Sequence, residues 1–241
     1  MVKLAVNLNW AVHLHRFMGS RAPSLGEVAQ WAARGGAKAF TIRLSKSDDP
    51  LLLKDVTQAK KTVKALWLVE ATADPKLVQA AARLSPSLVC LASENGDALV
   101  LDGVKVRSVA QAVSFLKKKS VKVVLVLGPH ADTIRKAKRM GVRAVRLSTG
   151  PLSRNTSGSR RRQILEDLSV AGLLVQELGM ELHVGGGLSY GNVKEVAKMS
   201  GLEMVVVDEA VASRSVEVGL ANAVEELNGI IEEACAVSLA T

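Results

Sequence analysis

Val121-Lys122-Val123-Val124-Leu125-Val126-Leu127 leads into Gly128-Pro129-His130 and then into a stretch with helical spacing. The core of this run, Val123–Leu127, is apolar on both faces. A strand of that kind belongs in a parallel sheet covered by helices, because only there are both faces buried. The same sentence recurs along the chain. Val2–Leu8, Ala37–Leu44, Ala65–Glu70, Ser87–Leu91, Val142–Leu147, Met180–Val184 and Leu202–Val207 are further strand-like runs, and helix-period sequence follows each. Eight strand-helix units in 241 residues predict an α/β fold of one kind, a closed (β/α)8 barrel formed by residues 1–241 as a single domain. Such a barrel carries its chemistry on the loops after the strands, so the residues at those eight ends are the candidates.

The helical stretches support the reading. Leu25, Val28, Ala29, Ala32 and Ala33 share a face, as do Val109, Val113, Phe115 and Leu116, whose helix ends in lysines that suit its dipole. Asp74-Pro75 reads as an N-cap followed by Pro at the first helical position. Leu220, Val224, Leu227 and Ile231 form a core-facing stripe on the closing helix. Three connections are long: Asn9 to Ser24, Ala92 to Arg107 and Gly150 to Ser159. Long loops on the functional face of a barrel often bind or cover ligands.

Composition narrows the class. The net charge of +9 suits an anionic partner, such as a phosphorylated small molecule. The basic clusters Lys60-Lys61, Lys117-Lys118-Lys119 and Arg160-Arg161-Arg162 fall in separate units, and one Tyr with three Phe gives few stacking platforms, which argues against nucleic acid. No apolar run reaches the length of a membrane span, and the N-terminus reads as a strand rather than a signal peptide. Two cysteines, Cys90 and Cys235, read as buried free thiols of a cytoplasmic protein.

At the strand ends stand Asn7-Leu8-Asn9-Trp10, Arg43-Leu44-Ser45, Glu70, Glu94, Gly128-Pro129-His130, Arg146-Leu147-Ser148-Thr149-Gly150, Gly185-Gly186-Gly187 and Asp208-Glu209. Arg43, Glu70 and Arg146 are charges on otherwise apolar strands, which places them at the mouth or in ion pairs. They suit either a structural network or an anion clamp beside a general acid/base carboxylate. Gly185, Gly186 and Gly187 let backbone N–H groups approach a ligand, in the position where many barrels hold phosphate; a tight turn is the plainer reading. Leu188-Ser189 would open a helix beyond them. Asp208 and Glu209 would repel a phosphate unless a cation such as Arg214 compensates. His13 and His15 have strand spacing but lack a third ligand, so no metal is expected, and no cofactor motif occurs.

These residues carry a resemblance. Val6-Asn7-Leu8-Asn9-Trp10, Ser148-Thr149-Gly150, Gly185-Gly186-Gly187-Leu188-Ser189-Tyr190-Gly191-Asn192-Val193 and the Arg214 helix resemble pyridoxine 5'-phosphate synthase, the vitamin B6 family called PdxJ. The likeness runs along nearly the whole chain in order. It implies a (β/α)8 barrel, assembly as a homo-oligomer (typically an octamer), and two phosphorylated substrates. These are 1-deoxy-D-xylulose 5-phosphate and 3-amino-2-oxopropyl phosphate, condensed with closure of the pyridine ring. On that resemblance Asn7, Glu70, Thr149, Gly185 and Gly187 match the family pattern, Glu70 as the acid/base carboxylate and the glycines as the phosphate cradle. The family's histidine-bearing positions carry other residues here. Asn9-Trp10 stands for Asp-His, Arg43 and Ser45 for His and Arg, Pro50 for a loop His, Gly186 for the His of Gly-His-Gly, and Asp208-Glu209 for Gly-His. Imidazoles suit proton shuttling near neutrality, so their replacement leaves Glu70 as the principal candidate acid/base. Two expectations follow: a synthase-like barrel that binds phosphorylated small molecules, or a non-catalytic paralogue that binds a ligand or serves as an oligomer subunit, with Trp10 filling substrate space.

Overall fold

The structure, a computed structural model, describes residues 1–45, 49–154 and 158–239. Eight parallel strands close on themselves in sequence order. They are β1 (Lys3–Asn7), β2 (Ala39–Arg43), β3 (Leu66–Ala71), β4 (Leu88–Leu91), β5 (Lys122–Leu127), β6 (Ala144–Ser148), β7 (Glu181–Gly185) and β8 (Leu202–Val207). β1 pairs with both β2 and β8, which closes the (β/α)8 barrel. All eight strand-like runs of the sequence are strands, with ends moved by a residue or two.

Helices cover the outside, among them α2 (Leu25–Arg34), α4 (Pro75–Arg83), α5 (Gly103–Lys118), α8 (Gly158–Glu177), α10 (Glu209–Val218) and α11 (Leu220–Leu239). The predicted faces are buried: Val28, Ala29 and Ala32 on α2, and Val224, Leu227 and Ile231 on α11. The Asp74 carboxylate accepts from the backbone N–H groups of Lys76 and Leu77, as its N-cap role requires.

Three expected loops differ. The connection after β1 is mostly helix: α1 (Asn9–Met18) begins almost at the strand end. His13 and His15 therefore sit on a helix and not at strand spacing; Ala11 and Val12 are the buried pair that turns this helix toward the core. The connection after β6 opens with a short helix, α7 (Gly150–Arg154), while Asn155, Thr156 and Ser157 lie outside the described residues. Beyond the triple glycine no helix starts at Leu188-Ser189. Asn192 Oδ1 accepts from Ser189 N–H, its Nδ2 donates to the Gly187 carbonyl, and helix α9 (Val193–Ala197) begins only after this side-chain-braced turn.

Two apolar layers form. The larger lies between sheet and helices; the smaller fills the barrel with Ala5, Ala39, Leu68, Cys90, Val124, Val126, Ala144, Met204 and Val206. Side chains alternate along a strand, so counting by twos from these interior residues gives what faces the mouth. Ala5 leads to Asn7, Ala39 through Thr41 to Arg43, Leu68 to Glu70, Ala144 to Arg146, and Val206 to Asp208.

Candidate functional site

That count matches the cavity at the strand ends. A polar space of about 250 Å³ is lined by Asn7, Asn9, Arg43, Glu70, Arg146, Gly150, Ser153, Arg154, Gly185, Gly186, Gly187, Asp208 and Glu209, together with Asn95, Gly96, Asp97 and Val126. Glu70 is its centre. One carboxylate oxygen lies 2.9 Å from Arg146 Nη1 and the other 3.3 Å from Arg43 Nη1. Glu70 and Arg146 are both nearly inaccessible, with side chains 9% and 6% exposed. Charges this buried persist only when paired, and Glu70 is paired on both oxygens.

Backbone and amide groups fix the triad from outside. Arg43 N–H donates to Asn9 Oδ1 at 2.8 Å, and Arg43 Nη2 donates to the carbonyls of Ser93 and Glu94. The loop after β4 thus folds over the Arg43–Glu70 pair. Gly96 makes this approach possible: a Cβ there would stand 2.3 Å from Arg43 Nη1. Asn7 joins the first and last strands, accepting from Asn9 N–H at 2.9 Å and donating to Asp208 Oδ1 at 2.8 Å. Burial pushes the Asp208 carboxyl up from its usual range, against the opposing pull of Asn7 and Arg146.

The glycine turn follows β7, the strand paired with the β8 that leads into Asp208. Gly186 and Gly187 have φ of +108° and +69°, which an L side chain rarely adopts. A Cβ on Gly187 would meet Ser153 Oγ at 2.4 Å. At Gly186 the Cβ position stands 3.5 Å from the Gly150 nitrogen, so its missing side chain leaves room beside that backbone amide, while the neighbouring Thr149 N–H donates to the Gly185 carbonyl at 2.9 Å.

Most of the residues expected at the site meet there: Asn7, Arg43, Glu70, Gly185, Gly186, Gly187, Asp208 and Glu209 all line the cavity. Thr149 does not. It is fully buried, and its hydroxyl donates to the Gly186 carbonyl at 2.7 Å, so it braces the turn from behind. Arg214 is also elsewhere, donating to Glu226 and Glu217 on the outer surface, and it compensates neither Asp208 nor Glu209. Trp10 packs against the sheet-helix layer and occupies no part of the mouth. Arg146, placed at the mouth or in an ion pair by its charge on an apolar strand, is in both, whereas Ser153 and Arg154 are cavity residues that the strand-end reading did not select. Among the described residues lining the mouth, none is histidine. His183 is interior but one step deeper, where burial, joined by Arg146 and Lys3, pushes its pKa down to about 3.

A family model described as pyridoxal phosphate biosynthesis protein PdxJ matches residues 4–233. The chain belongs to the PdxJ family. A pyridoxine 5'-phosphate synthase of Elusimicrobium minutum is 30% identical over 238 residues, covering 96% of this chain and 98% of that one. The same-named protein of Geobacter metallireducens is 26% identical, covering 97% of this chain and all of its own. Among solved structures, a thiamine phosphate pyrophosphorylase from Pyrococcus furiosus superposes with a TM-score of 0.64 at 19% identity, covering 97% of this chain and 96% of that one. A likeness at that identity shows the shared barrel alone. Among the described residues, no helix is long and apolar enough to cross a membrane, and no group of three or more His, Cys, Asp or Glu is placed to hold a metal ion.

Proposed function

We propose that this PdxJ-family barrel is pyridoxine 5'-phosphate synthase-like in binding a phosphorylated small molecule at its mouth, and that it does so without running the family's ring-closing condensation. The phosphate sits at Gly185–Gly187, where positive-φ glycines leave space beside the backbone amide of Gly150, with Arg154 on the cavity wall. Oriented amides hold an anion without requiring a net positive pocket. That matters here, because the lining carries three arginines and four carboxylates in spite of the chain's overall +9.

The observation that carries the chemical half of the proposal is the double pairing of Glu70. A carboxylate with both oxygens engaged by guanidinium groups is poorly placed to deliver and recover protons in turn. The condensation of 1-deoxy-D-xylulose 5-phosphate with 3-amino-2-oxopropyl phosphate needs several such transfers, and among the described residues lining this mouth there is no histidine to share them. A second reading, catalysis of a synthase-type reaction with Glu70 as acid/base, is favoured by the position of Glu70 at the centre of the cavity. A ligand that engaged Arg43 or Arg146 would release one of its oxygens.

Incubation with both family substrates separates the readings. The first expects thermal stabilisation by the phosphorylated substrates and no pyridoxine 5'-phosphate at high protein concentration. Product formation that is lost in Glu70→Gln would establish the second. Assembly as a homo-oligomer belongs to the same proposal, supported by Phe17 and Val216, apolar residues that stand 89% and 87% exposed on α1 and α10.

A further inference from the structure

Arg146 has more hydrogen-bonding capacity than the fold uses. Only its Nη1 is engaged, by Glu70. Nε and Nη2 are buried and have no hydrogen-bond partner among the described residues. Leaving two donors of a buried cation unpaired is costly, and native folds rarely do so without reason. Two neighbouring acceptor atoms are committed elsewhere: the other oxygen of Glu70 faces Arg43, and Asp208 Oδ1 takes the Asn7 amide. The geometry of the two free donors is informative. Nε–H and Nη2–H point from one edge of the guanidinium plane, the edge that forms paired, parallel hydrogen bonds with a carboxylate. Glu70 occupies the opposite side through Nη1.

The side chain also lies where a ligand would reach it. Arg146 lines the mouth cavity, and it runs beside the glycine turn: a Cβ on Gly185 would stand 3.4 Å from Arg146 Cδ. A cavity of about 250 Å³ holds a compound of a few carbons. We infer that Arg146 determines specificity by taking a carboxylate of the ligand on its Nε–Nη2 edge, so that the barrel selects small phosphorylated carboxylic acids. This rests on the phosphate reading of the glycine turn, and it adds a second anionic group deeper in the barrel.

Isothermal titration of the full chain with 3-phosphoglycerate and with glycerol 3-phosphate tests the inference, because the pair differs in carrying a carboxylate or a hydroxymethyl group. The expected result is binding of 3-phosphoglycerate about tenfold tighter or more, a difference of about 1.4 kcal/mol. Arg146→Gln should abolish that preference, weakening 3-phosphoglycerate about tenfold more than glycerol 3-phosphate. Equal affinities in the unsubstituted protein overturn the inference but leave the phosphate reading intact, and this comparison stands even where the substituted chain does not fold. A preference that survives in Arg146→Gln also overturns it. So does an equal loss of both ligands, which would put the phosphate itself on Arg146. Binding of neither compound overturns the inference and the phosphate reading together.

Discussion

The two ends of this barrel solve the same problem differently. Each must finish an apolar sheet with groups that meet water or a ligand. At the mouth, the buried Glu70 and Arg146 and the partly buried Arg43 lie together, and Glu70 pairs with both arginines. At the opposite end the interior holds His183, 2% exposed, beside Lys3, Lys122, Glu181 and Glu203 around a second cavity. Its nearest carboxylate, Glu181, is 3.9 Å away and half-exposed, and the ring is neutral at ordinary pH because burial opposes its charge. The lower end keeps its buried group uncharged and its charges in solvent. The mouth instead concentrates charge inside, an arrangement that contributes little net stability and leaves donors available.

The largest expected effect comes from breaking the mouth's pairing. Glu70→Ala leaves the buried Arg146 without its carboxylate and should lower the unfolding free energy by about 3–5 kcal/mol, measured by urea titration. Glu181→Ala at the other end removes a half-exposed partner and should stay within about 0.5 kcal/mol. Near-equal costs would erase the distinction between the ends.

Glycine substitutions come next. Gly187→Ala forces a side chain into φ +69° and against Ser153, and should cost about 1–3 kcal/mol while weakening phosphate binding. Gly179 has a similar φ of +63°, yet its nearest neighbour is Lys138 Nζ at 3.9 Å. Gly179→Ala should cost only about 1–2 kcal/mol, the strain alone, with no effect on ligand. Parallel melts with and without phosphate would show whether the two differ as expected.

The pH dependence sharpens the lower end. His183 titrates at about 3 in the fold and near 6.5 once unfolded, so the unfolded chain takes the proton first. Stability should therefore fall as pH drops from 6.5 toward 3, by at most about 1.4 kcal/mol per pH unit from this residue. Asp208 acts with the opposite sign, since its raised pKa lets the folded form bind a proton more readily as pH falls. His183→Gln should flatten the acid limb, and an unchanged slope in urea titrations at several pH values would refute the assignment.

The smallest effect concerns the thiols. Cys90, beneath the triad, is fully buried and its thiol is pushed up to about 12, whereas Cys235 is half-buried on α11. A disulfide reagent at pH 8 should label Cys235 first and Cys90 only as the chain unfolds.

The barrel was legible because each strand is apolar on both faces and each is followed by helical spacing, a pattern written by local burial. The triad was legible in part for the same reason: Arg43, Glu70 and Arg146 stand out on apolar strands, and burial forces them to pair. What the sequence did not reveal depends on contacts across the barrel. Thr149 reads as a ligand residue until its hydroxyl is found on the Gly186 carbonyl. Arg214 reads as a free cation until two glutamates are found beside it. The connection after β1 looked like a loop because His13, His15 and Arg16 interrupt its apolar positions, although Ala11 and Val12 suffice to anchor a helix. Trp10 likewise turns outward with that helix.

Phosphorus-31 NMR of the protein mixed with 1-deoxy-D-xylulose 5-phosphate and 3-amino-2-oxopropyl phosphate tests the central claim most directly, since it reads binding and turnover in one sample. A mouth that holds phosphate but lacks the condensation chemistry predicts broadened or shifted substrate resonances and no pyridoxine 5'-phosphate signal. Sharp, unperturbed substrate lines, or the appearance of that product, would contradict it.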